Sequence, residues 1–137
     1  MALECTLIVE TELPVSFTCA NGTGISKGSL LKIADPNTVS QAGSDNDPVI
    51  GIAAEEKIAN DGNTQIAVYM GGIFKGTAGA AGTTAGQAII CDSSTGDDNE
   101  IVDADVNSEH IIGRALETAT DLQTFKFILA PFSVNVA

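Results

Sequence analysis

Several residues of this chain are of the types that carry chemistry. His110 is the single histidine, and a hydrolase could pair it with a serine, or with Cys91 and an acid. Such triads are assembled in space, and no nucleophile motif of the Gly-x-Ser-x-Gly kind occurs. A lone histidine beside Ile111-Ile112 at a strand start reads as structural. Asp103-Ala104-Asp105-Val106-Asn107-Ser108-Glu109 opens like a calcium loop, with oxygen side chains at alternate positions. The place that needs glycine for the sharp turn holds Ser108, however, and the place of the bidentate glutamate holds the cation Arg114. With Asp92, Asp97, Asp98 and Glu100 nearby, the stretch from Asp92 to Glu109 reads as a solvated acidic loop, open to loose divalent-cation binding at most. Glu55-Glu56 would suit two-carboxylate glycoside chemistry, but sugar sites need stacking aromatics, and the chain has no Trp and only Tyr69. Gly76 to Gly86 is glycine-rich yet lacks the Gly-Lys-Ser/Thr ending that reaches phosphates. Its small side chains predict a surface crossover. Cys5, Cys19 and Cys91 have no metal-type spacing. The expectation is no catalytic residue, no metal and no cofactor.

Bulk properties narrow the classes further. A chain of 137 residues fits one domain. Hydrophobic residues make up 44% and aromatics only 4%, so Val, Ile, Leu and Ala must fill most of a core. No apolar run approaches the roughly 18 to 20 residues of a membrane helix, so no membrane partner is expected. Met1-Ala2-Leu3-Glu4 carries an acid where a secretory leader wants a base, and reads as a mature end made in cytosol. The net charge is −12, with 18 acids against 6 bases. Nucleic-acid binding depends on Lys and Arg displacing counterions, so nucleic acid is not an expected partner. The charge favours solubility and suits the outer face of an assembly better than a DNA-filled interior. An odd cysteine count excludes complete internal pairing; Cys5 and Cys19 lie on apolar strand faces, where cysteine acts as a small hydrophobe.

These residues must be positioned by strands. Leu3, Cys5, Leu7, Val9 and Leu13 share one side of an alternating segment, against Glu4, Thr6, Glu10 and Glu12 on the other. Pro14 breaks it, and Val15, Phe17 and Cys19 resume before an Asn21-Gly22 turn. Further strands are predicted over Ser29 to Ala34, Pro48 to Ala54, Gln65 to Met70, Ile73 to Lys75, Gln87 to Cys91, Ile111 to Leu116 and Thr124 to Ala130. Ala53 to Ala59 is a weak helix candidate, too short to form alone. The halves look alike. Gly28 before Leu30-Leu31, then Ile50-Gly51-Ile52-Ala53-Ala54-Glu55, then a strand around Val68 are matched by Gly86 before Ile89-Ile90, then Ile112-Gly113-Arg114-Ala115-Leu116-Glu117, then a strand around Phe127. The prediction is an all-β chain, a small β-barrel or β-tulip-like domain with internal pseudo-duplication. Residues 1–14 form an N-terminal strand or arm. Residues 15–137 form a single β domain, with halves at about 22–76 and 77–132.

Certain landmarks resemble a known family. Gly28-Ser29-Leu30-Leu31-Lys32-Ile33, Asp47-Pro48-Val49-Ile50-Gly51-Ile52-Ala53, Val68-Tyr69-Met70-Gly71-Gly72-Ile73-Phe74, Ala85-Gly86-Gln87-Ala88 and Ile112-Gly113-Arg114-Ala115-Leu116-Glu117 stand in an order similar to that of tailed-phage capsid decoration (cement) proteins, a family related in fold to the lambda head protein D. The similarity runs from Ser16 to Phe132, and persuades by order, since each motif is mostly glycine and aliphatic. It implies a virion protein on the outer capsid surface, made in the host cytoplasm and commonly a homotrimer. Such a protein binds the major capsid protein at coat-subunit junctions and stabilises the shell without enzymatic activity. It also implies an N-terminal arm that adds a strand to the coat protein, which maps onto Ala2 to Leu13. Leu3, Cys5, Leu7 and Val9 are then the expected capsid-binding face. The alternative is a small β-barrel binding module displayed on a virion, for example for host-surface glycan; scarce aromatics count against it.

Overall fold

Short alternating runs separated by turn residues fold as eleven strands, with no helix among the described residues. The structure is a computed structural model and describes residues 3–44, 46–92, 99–105 and 110–134. The first strand, β1 (Thr6–Val9), stands apart from two groups of five. The first group is β2 (Val15–Thr18), β3 (Leu30–Asp35), β4 (Thr38–Gln41), β5 (Val49–Ala53) and β6 (Gln65–Tyr69). It closes into a barrel in the order β2-β4-β3-β5-β6, with β2–β4 parallel and β2–β6 antiparallel.

The second group is β7 (Gly72–Ala78), β8 (Ala88–Cys91), β9 (Glu100–Asp103), β10 (His110–Ala115) and β11 (Thr124–Val134). Its order is β7-β9-β8-β10-β11, again with one parallel pair, β7–β9, and with β11 returning antiparallel to β7. Strand for strand, the two barrels have one topology. The duplicated sequence therefore encodes a duplicated supersecondary unit. Local bonds repeat with it: Gly28 N donates to Ala53 O at 2.9 Å and Gly86 N to Ala115 O at 2.8 Å, while Ala54 N to Ala67 O and Leu116 N to Lys126 O are both 2.8 Å. The shared glycine of the Ile-Gly pair has a steric reason in both copies. A methyl group on Gly51 would run into the carbonyl oxygen of Tyr69, and one on Gly113 into that of Ile128. The strand pairing divides the units at residues 70–71, because Gly72 to Gly76 already belong to β7 of the second barrel.

Period-two alternation decides what each barrel contains. Leu31 and Ala53 point inward in the first barrel with Cys19, Ile25, Val39, Ile66 and Val68. Leu30 and Ile52, one residue away, point outward and join the larger core instead. That core is the second barrel's interior, built on Phe74, Phe125, Phe127, Ile89, Ile101 and Ile112. Phe127 lies 6.1 Å from Phe74 and 5.6 Å from Phe125 by ring centroid. The barrels are thus joined by apolar packing, with Tyr69 edge-on to Phe74 at 5.8 Å. A buried bond from Leu30 N to Asn99 Oδ1 at 2.9 Å adds to it.

Two expectations are corrected. The glycine-rich stretch is not a surface crossover at its start: Gly76 to Gly79 are buried, and Gly76 and Ala78 lie in β7. A methyl on Gly76 would sit 2.9 Å from Phe127 and 3.0 Å from Ile101, so a missing side chain makes room for large neighbours. Ala53 to Ala59 is not helical; Ala53 ends β5, and Lys57 forms an isolated bridge with Ile25. β4 and β9 were not foreseen.

Candidate functional site

The N-terminal segment is integral to the fold. β1 pairs antiparallel with β7, Thr6 opposite Lys75, Leu7 opposite Phe74 and Val9 opposite Ile73. Ahead of it, Cys5 N donates to Gly28 O at 2.8 Å. Leu3 and Cys5 are buried, and Leu7 is half-buried against the main core. Between Leu7 and Val9 the ladder slips by one residue, so Ile8 is bulged. A single extra residue reverses the side on which later side chains emerge. Leu7 therefore shares a face with inward Phe74, whereas Val9 shares one with outward Ile73. Val9 is 46% exposed, Ile8 44% and Leu13 77%. Of Leu3, Cys5, Leu7 and Val9, the first three pack against the barrel and only Val9 is exposed.

β1 is the edge of the order β1-β7-β11-β10, whose outer face carries exposed side chains among the described residues. Along it runs the row Val9, Ile73, Ile128, Arg114, Ala88, each directly opposite the next. Beside it runs Thr6, Lys75, Lys126. Lys75, Lys126, Arg114 and Ile128 are exposed, and Ile73 is half-buried.

The residues of chemical type are engaged in holding loops. His110 N donates to Asn46 Oδ1 at 2.6 Å, and the ring Nδ1 lies 3.1 Å from Asn46 O. The buried Cys91 thiol faces Ser44 O at 3.5 Å. Glu56 Oε1 accepts from Lys27 N at 3.2 Å, and Asp103 Oδ1 accepts from Thr84 N at 2.9 Å. Within the acidic stretch, residues 93–98 and 106–109 lie outside the described residues; among those described, no three His, Cys, Asp or Glu gather as a metal site. All three cysteines are buried and none forms a disulfide, and burial, with help from Glu4, pushes the Cys5 thiol up to about 12. Tyr69 Oη donates to Glu10 Oε2 at 2.9 Å, a bond that raises its pKa. Lys57 is 2% exposed, yet its Nζ reaches Ile58 O at 2.6 Å, Asp61 Oδ1 at 2.7 Å and Asn21 O at 3.1 Å. That is full use of an ammonium's three donors.

With no assembled reaction centre among the described residues, surfaces carry the functional argument. The model of the phage cement protein family matches residues 9–130. The chain belongs to the phage cement protein family. Cement proteins are structural components of the phage head, so this chain is a head-associated structural protein. Among solved structures, the chain is similar to the head fiber gp8.5 N base of bacteriophage phi29, with a TM-score of 0.58 and 21% identity over 90% of this chain and 99% of that one. At that identity the likeness speaks to the fold. No curated protein matches the chain.

For a cement protein, the informative residues are those that sequence reasoning passed over: Ile73, Lys75, Arg114, Lys126 and Ile128. A signal was present. Alternation within Thr124 to Ala130 places Lys126 and Ile128 on one side, and Lys75 sits likewise beside Ile73. Nothing local says that these strands are neighbours.

Proposed function

We propose that this cement protein decorates the outer surface of a phage head, bound to the major capsid protein at coat-subunit junctions, and stabilises the shell. The match across residues 9–130 carries the reading. The net charge of −12 supports an outer position, since a DNA-lined interior would repel it. The role is mechanical and needs no catalysis or cofactor. Each copy buries a modest surface across a seam, and repetition over a lattice supplies avidity without high affinity per site. Assembly as a homotrimer after synthesis in the host cytoplasm fits that role. Val9, with Ile8, provides apolar contact at the edge of β1, while Leu3, Cys5 and Leu7 anchor the strand beneath it.

The test mixes purified chain with undecorated heads and images them. Density at symmetry-related junctions on the outside, with a higher temperature of shell opening, is the expected result. Heads that remain bare, or density on the inner surface, would overturn it.

A further inference from the structure

The outer face of β1-β7-β11-β10 concentrates what the rest of the chain lacks. Three of the 6 bases, Lys75, Lys126 and Arg114, lie on it, and none of the four strands contains Asp or Glu although the chain has 18 acids. Two acids flank these strands, Glu10 directly after β1 and Glu117 two residues after β10. Glu10 accepts the Tyr69 hydroxyl and Glu117 accepts Lys126 N, so both carboxylates already have hydrogen bonds of their own.

Lys75 and Lys126 stand directly opposite each other on adjacent antiparallel strands. Like charges in that relation destabilise a sheet. Neither ammonium has a carboxylate within ion-pair distance among the described residues. The first barrel shows what the same fold position carries without such a demand. There the opposed pair is Ser16 and Ala67. The fold does not require the lysines.

We propose that this face docks on an acidic protein surface of the coat lattice. Carboxylates of the coat protein meet Lys75, Lys126 and Arg114, and an apolar centre meets Val9, Ile73 and Ile128. The proposal rests on the head-binding reading and names the face and the partner's charge. Exposed apolar side chains between cations suit such a contact, because association removes them from water while the charges set partner choice and register. Charge complementarity favours a foreign acidic surface over the same face of a second copy, where Lys75, Lys126 and Arg114 would meet like charges.

The test compares wild type, the double variant Lys75→Ser/Lys126→Ala, and the control Lys27→Ala for binding to undecorated heads by co-sedimentation. The double variant takes the residues of the first barrel at the same positions. It should keep the wild-type melting temperature or exceed it and bind heads about tenfold more weakly, while the control binds normally. Wild-type binding should also weaken as salt rises past about 0.1 M, where the Debye length is near 10 Å. This salt readout needs no variant and holds if the double variant misfolds. Salt-independent wild-type binding, or undiminished binding by a folded double variant, overturns the face and leaves head binding intact. If wild type leaves heads bare, the head-binding reading falls and this inference with it. Self-association of wild type that the double variant abolishes would assign the face to a second copy, and overturn the proposal.

Discussion

One register row can be followed through both barrels. In the first it reads Leu30, Ile52, Tyr69, each opposite the next; in the second, Ala88, Arg114, Ile128. Topology, pairing and the neighbouring glycine are the same. The environments are opposite. Leu30 and Ile52 are fully buried because the first barrel's outer face packs against the second barrel's core. Arg114 and Ile128 are exposed, with nothing among the described residues covering the matching face. A duplicated unit has two copies of each face, and docking one barrel on the other consumes only one of them. The remaining copy is available to a partner, and its residues have changed from sealing apolar ones to a mixture of cations and aliphatics.

Exchanging residues between the copies breaks this comparison most directly. Ile52→Arg places a charge in a fully apolar setting and should lower stability by about 4 kcal/mol or more, enough to abolish cooperative folding. The converse, Arg114→Ile, should leave stability within about 0.5 kcal/mol, as for most surface changes. Thermal melts of the pair check both. Equal effects would show that the two faces are not in different environments.

A second contrast lies at the loop bridges, where Lys57 faces Ile25 in one copy and Ala119 faces Thr83 in the other. Lys57→Ala makes the first barrel like the second but removes the ammonium that bonds Ile58 O, Asn21 O and Asp61, and should cost about 1–3 kcal/mol by denaturant titration. Its partner adds a pH signature. The Lys57 hydrogen bond lowers the Asp61 pKa below the ordinary aspartate value. That contribution is present above the unfolded value and is lost as pH falls through the lowered folded one. Acid titration of the wild type should show the loss, and the Lys57→Ala protein should show a smaller one, since Asn63 N still donates to Asp61.

The smallest effect concerns a turn that both copies share. Asn60 has φ 62° and Leu122 φ 63°. Asparagine tolerates the left-handed region, whereas a branched-chain residue there is strained by roughly 1 kcal/mol. Leu122→Asn should therefore raise stability by up to about 1 kcal/mol, seen as a small rise in melting temperature. No rise would mean that Leu122, though exposed, contributes packing that offsets its backbone strain.

Much of the fold is legible in local pattern. Strand alternation, the turn residues and the paired Ile-Gly motifs are properties of a few consecutive residues, and they identified nine strands and the duplication. β4 and β9 were missed because Asp35-Pro36 and the acids after Cys91 read as ends rather than as turns into a further strand. Gly76 and Ala78 were misread because small size suits a loop as well as a crowded interior; only the positions of Phe127 and Ile101 distinguish the two.

By itself, then, the sequence determined that the chain is all-β, built from two like units, strongly acidic and without a recognisable reaction motif. The tertiary structure decided which copy's outer face is sealed and that β1 joins the second barrel instead of the first. It also decided that the bulge at Ile8 turns Val9 outward while Leu3 and Cys5 stay within, and that three cations from β7, β10 and β11 share one face. The physical reason is range. A strand's period of two is set by its own backbone, but what lies across the sheet depends on pairings between residues tens of positions apart, and alternation is silent about those.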